Sequence, residues 1–225
     1  MNIIEEIKNN CDVKYGEFTK KIIGKQKSAY LRINIAKQIA KKYSNTNEAI
    51  KFLDMLPHKN IDQNNVHGLI IGYLKEEALN VISKLKKFLP YIDNWATCDI
   101  TVSNLKIIKK EPQKFKIFAK NCIKSNKSFI KRFGIVILLT YFLDDNFEKK
   151  DLKEMASIYS DDYYVNMALS WYFSVAFVKQ YKSAIKIFQE SHIKNKWVHN
   201  KSIQKVCDSL RVNNQQKSYL KSLKR

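Results

Sequence analysis

The chain has 225 residues, with 41 Lys+Arg against 21 Asp+Glu and a net charge of +20. That length suffices for one domain burying roughly 70% of its extended-chain surface, and the charge excess is larger than solubility requires, so a polyanionic partner is expected. Five Gly and three Pro exclude a turn-dense sandwich or barrel and a glycine-rich phosphate loop, leaving an all-α composition.

Apolar positions recur with the helical period. In chain order this predicts helices over about 2–10, 14–23, 32–43, 46–55, 61–74, 76–88, 93–110, 113–123, 127–143, 148–159, 163–179, 181–190, 199–211 and 214–224. The opening Met-Asn-Ile-Ile-Glu-Glu-Ile-Lys has no apolar signal core. The uncharged run Phe133–Leu143, 11 residues long, is too short to span a bilayer. A cytoplasmic, nucleoid-associated monomer with no membrane partner is expected. Cys11, Cys98, Cys122 and Cys207 lack CxxC spacing and read as buried thiols. His58, His67, His192 and His199 lack ligand spacing, so neither a metal nor another cofactor is expected.

The most apolar helical stretches, Val66–Lys75, Thr97–Lys106, Lys131–Thr140, Asn166–Val175 and Asn200–Ser209, begin 31 to 35 residues apart, each after a more polar helix. Two helices per such period is the pattern of an α-solenoid of HEAT type with a concave surface, here a single domain over 1–225. Charge is uneven along it. Residues 104–133 carry +9 and 200–225 carry +6, while 144–162 carry −4. The expectation is a basic groove and an acidic side.

Four places stand out. Only four of the cations are Arg, and Arg132 opens a very apolar helix, where a guanidinium needs a phosphate or carboxylate partner. At 100° per residue, Trp95, Asp99, Val102, Ser103, Lys106 and Lys110 share one face and Ala96, Ile100, Leu105, Ile107 and Ile108 the other. Trp95 thus lies on a polar face, open to a ligand or to a neighbouring repeat. Asn166, Ser170 and Ser174 form a polar stripe near Trp171 on an apolar helix, read as one exposed line. Asn200-Lys201-Ser202-Ile203-Gln204-Lys205 reads as a basic helix start suited to a phosphate. Lys131 and Arg211 lie in the same basic segments and are taken as further DNA contacts.

These segments resemble the AlkD-type DNA alkylation repair family. The resemblance rests on Asp93-Asn94-Trp95-Ala96-Thr97-Cys98-Asp99, Arg132-Phe133-Gly134-Ile135-Val136, Tyr164-Val165-Asn166-Met167-Ala168-Leu169-Ser170-Trp171 and the Asn200–Lys205 segment, in that order. It implies a right-handed superhelix around duplex DNA and a monofunctional glycosylase. Such an enzyme removes cationic N3- and N7-alkylpurines, such as 3-methyladenine and 7-methylguanine, without flipping the base into a pocket. By the same resemblance Asp99 is the catalytic carboxylate, Trp95 its aromatic neighbour, Arg132 the backbone contact and Trp171 the second aromatic wall. The chain departs from the family near its start. Arg32-Ile33-Asn34-Ile35-Ala36-Lys37 stands where the family has Arg-Ile-Pro-x-Leu-Arg, so Asn34 and Lys37 replace a proline and an arginine, and Lys21 stands where some members carry an aromatic residue. A non-catalytic relative that binds branched or damaged DNA is the alternative reading, and a protein-binding scaffold is the third.

Overall fold

The computed structural model describes residues 2–24 and 27–225. Among them are fourteen α-helices and no strand. The helices are α1 (Ile3–Asn9), α2 (Val13–Ile23), α3 (Ile33–Tyr43), α4 (Asn47–Asp54), α5 (Ile61–Tyr73), α6 (Ala78–Phe88), α7 (Trp95–Asn104), α8 (Pro112–Ile123), α9 (Ser128–Tyr141), α10 (Lys149–Ser157), α11 (Tyr163–Lys179), α12 (Tyr181–Gln189), α13 (Lys196–Asp208) and α14 (Asn214–Ser222). Thirteen match the sequence-derived ranges to within three residues at either end. The helix expected over 93–110 does not.

Short polar side chains explain where many of these helices start. Asn2, Asp12, Thr46, Asn60, Asn94, Asp162, Asn195 and Asn213 each accept a first-turn backbone N–H, satisfying donors the helix itself cannot.

The chain divides into two compact units, residues 1–115 and 116–225. In unit one α3, α5 and α7 pack side by side in chain order, with α1 against α3. In unit two α9, α11 and α13 do the same. From α5 onward the odd-numbered helices begin at residues 61, 95, 128, 163 and 196, a spacing of 33 to 35 residues that reproduces the sequence period. Even-numbered helices flank them, α6 on α5 and α12 on α11. Within each unit the odd helices are the more buried ones: α5 in the first and α9 and α11 in the second are concealed nearly all round.

One expectation about reactive side chains needs correction. Cys98 and Cys122 are buried, but Cys11, in the loop between α1 and α2, is exposed and Cys207, in the last turn of α13, is intermediate. His58 and His67, separate in sequence, meet at 2.8 Å between Nε2 and Nδ1 and stack on Phe52 and Phe88 respectively. Burial holds the His58 pKa down at about 4 and that of His67 well below its usual range, so both rings are neutral packing elements at pH 7.

Candidate functional site

Helix α7 begins at Asn94, whose Oδ1 accepts the Thr97 N–H at 2.9 Å. Thr97 Oγ1 donates to Asn65 Oδ1 on α5 at 2.7 Å, and Thr101 Oγ1 donates to the Thr97 carbonyl at 2.7 Å. The covered side of α7 is therefore Thr97, Cys98, Thr101, Val102 and Leu105. This corrects the expected faces: Val102 is buried, whereas Ala96 and Ile100 are partly exposed. The reason lies across the seam, where Gly68 and Gly72 of α5 let Thr101 and Asn104 approach closely. Such a seam selects small residues, so apolarity does not mark it.

The helix ends at Asn104 because Leu105 leaves helical geometry at φ −76° and ψ 62°. A 3-10 turn over Lys106–Lys109 follows. Lys106 and Lys110 are exposed but out of register with α7, so the helical face that joined them to Trp95 does not exist.

A Cβ at Gly68 would lie 1.9 Å from Thr101 Oγ1 and 2.9 Å from Thr101 Cβ. Gly68→Ala is expected to cost about 1–3 kcal/mol, lowering Tm by about 2–4 °C per kcal/mol. A thermal melt checks it, and an unchanged Tm refutes the close seam.

Trp95 and Asp99 stand one turn apart on α7, both partly exposed. Trp95 Nε1–H donates to the Ile22 carbonyl at 3.3 Å, and its ring packs on Ile23, Ala29 and Ile61. The loop carrying Ala29 is itself fastened. Buried Asp62 accepts from the backbone N–H groups of Tyr30 and Leu31 at 3.0 and 2.9 Å, and Lys27 pairs with Asp93. Burial raises the Asp62 pKa, and the two backbone hydrogen bonds oppose that rise. The indole is thus anchored by its Nε1–H and by this packing, and stays partly exposed.

In unit two, Arg132 is 5% exposed and donates from Nη1 to the Tyr164 carbonyl at 2.8 Å in the first turn of α11. Trp171, 37% exposed, lines an open cleft of about 330 Å³ with Ser174, Lys205, Asp208 and Arg211. The structure thereby brings together Trp171, Lys205 and Arg211, three of the residues singled out from sequence. Burial lowers the Lys205 pKa; Lys201 and Arg132 push it the same way, and Asp208 opposes them. A cation so placed gains from an arriving anion.

Two expectations fail here. The stripe Asn166, Ser170 and Ser174 is buried, not exposed. Ser170 Oγ donates to the Asn166 carbonyl at 2.8 Å and lies 3.5 Å from the Val198 carbonyl of α13, and Asn166 Nδ2 donates to the Ser160 carbonyl at 2.9 Å. Nor does Asn200-Lys201 open a helix. Asn195 caps α13 by accepting the Val198 N–H at 3.2 Å, which places Lys201 in the second turn. There its Nζ donates to Gln204 Oε1 at 2.9 Å. Lys131 is partly exposed at the start of α9.

The family model for the DNA alkylation repair enzyme matches residues 28–176, about two thirds of the chain. The chain belongs to the DNA alkylation repair family. No curated protein and no solved structure matches it. Trp95, Asp99, Arg132 and Trp171 all fall inside the family span, whereas Lys201, Lys205 and Arg211 lie beyond it. Family membership makes DNA the polyanion that the charge of +20 called for. Among the described residues no helix is long and apolar enough to cross a membrane, and no group of three or more His, Cys, Asp or Glu is placed to hold a metal ion.

Proposed function

We propose that this member of the DNA alkylation repair family is a glycosylase that hydrolyses the N-glycosidic bond of N3- and N7-alkylated purines in duplex DNA. The observation that carries the reading is Asp99 one turn from Trp95 on α7, both partly exposed and inside the family span. An alkylated purine already bears positive charge, so it leaves as a neutral base without a strong general acid. What remains is to stabilise an oxocarbenium-like sugar and supply water. The C1′–N bond breaks, the Asp99 carboxylate stabilises the sugar cation, and the water oxygen bonds to C1′ as its proton passes to Asp99. The face of Trp95 adds cation–π attraction. Arg132, set deep against Tyr164, acts by fixing the first turn of α11. A single array of HEAT-like repeats acting as a monomer in the cytoplasm is part of the same reading.

Release of 7-methylguanine from methylated duplex DNA tests the reading, with Asp99→Asn as comparison. No release by the wild type, together with salt-sensitive binding, would leave a non-catalytic binder of branched or damaged DNA.

Lys205 carries a second prediction. If it neutralises a phosphate, Lys205→Gln lowers the slope of log K against log salt by about 1. Because the folded pKa of Lys205 is lowered, wild-type affinity falls as alkaline pH passes through that pKa, while Lys205→Arg holds its affinity over the same range. Anisotropy titrations of a labelled duplex at several salt concentrations and pH values read both effects; an unaltered slope removes Lys205 from the interface.

A further inference from the structure

Unit two holds another cleft, about 600 Å³, between α10 and α12. Lys149 and Lys153 on α10 and Lys182 and Lys186 on α12 line it, all four exposed. Each pair has i,i+4 spacing, so two rows of like charge run along the two rims. That arrangement costs helix stability.

The carboxylates that would ordinarily relieve it are used elsewhere. Three acids of residues 144–162, a stretch expected to form an acidic side, face lysines instead. Glu148 pairs with Lys116 and Lys150, Asp151 with Lys116 and Lys120, and Glu154 with Lys120. Helix α10 thus presents its acids to α8 and its unmatched lysines to α12. Glu190 is the acid lining the cleft, and it contacts His192. Leu152 and Ile185 form the floor, and Tyr181, 37% exposed, adds an apolar wall.

We propose that this cleft docks an acidic peptide segment of a partner protein, its carboxylates on the lysine rows and an apolar side chain on the floor. Charge complementarity selects the acidic class. The apolar floor selects a peptide over a phosphate backbone, which offers nothing to fill it, and the recessed position of Leu152 and Ile185 leaves no apolar protrusion to enter a membrane. Lysine stems extend the apolar lining while their ammonium groups stay in water.

Anisotropy of a labelled peptide in which pairs of Asp alternate with Leu tests this against the full chain. Expected are saturable binding, a loss of at least about tenfold with Lys182→Glu/Lys186→Glu, and a several-fold loss when the peptide's Leu residues become Ser. Circular dichroism confirms that the variant is folded, since both lysines are exposed. Equal binding by wild type and the doubly reversed variant overturns the proposal, as does equal binding of an all-Asp peptide. If the double reversal instead abolishes retention of duplex DNA or of anionic phospholipid vesicles and spares the peptide, the cleft belongs to that ligand and the proposal fails.

Discussion

Asp99→Asn is expected to lower release of 7-methylguanine from methylated duplex by about 10²–10³-fold, the usual cost of removing one preorganised charge-stabilising group. Asparagine has almost the same shape, so Trp95 keeps its seat on Ile23, Ala29 and Ile61 and α7 keeps its seam with α5. What disappears is the negative charge facing the developing sugar cation and the acceptor for the water proton. Duplex affinity is expected to stay level or to rise slightly, because one anion is removed from a surface that meets phosphates. A drop in release with binding retained isolates the chemical step. Equal release by both proteins would place the carboxylate elsewhere.

Helix positions were legible in the sequence because apolar periodicity runs through them and polar residues break it: Asn60 and Asp162 stand immediately before expected helices and serve as their caps. The same period placed the three helices that carry the candidate site residues, α7 with Trp95 and Asp99, α9 with Arg132 and α11 with Trp171. The faces of α7 and α11 were not legible. Both helices meet their neighbours through small or hydrogen-bonded residues, Thr97 and Thr101 against α5, Asn166 and Ser170 in the α11 seam. A buried polar group with a local partner looks identical in sequence to an exposed one. The acidic stretch misled for a related reason: composition counted the acids of 144–162, but the lysines that consume three of them lie on α8, about thirty residues earlier.

That consumption sets the second large effect. Asp151 is 1% exposed and pairs with Lys116, itself 5% exposed, at 2.8 Å and with Lys120 at 3.0 Å. Taking one member from a buried pair leaves the other charged and undercompensated, so Asp151→Ala is expected to destabilise unit two by about 3–5 kcal/mol. Lys120 keeps Glu154, and Lys116 keeps Glu148. Glu148 is the more exposed partner; Lys116 and then Lys150 hold its pKa down at about 2. Its contribution is present above the usual carboxylate range and is lost only as pH falls toward that value, in the variant as in the wild type. Replacing both ends together separates charge from packing. Lys116→Met with Asp151→Leu is expected to recover most of the loss, because a well-packed apolar pair costs no desolvation. Urea unfolding with hydrogen exchange on α8 and α10 reads the two variants. A small loss in Asp151→Ala, or no recovery in the double variant, would mean that the ion pairs do not hold α10 against α8.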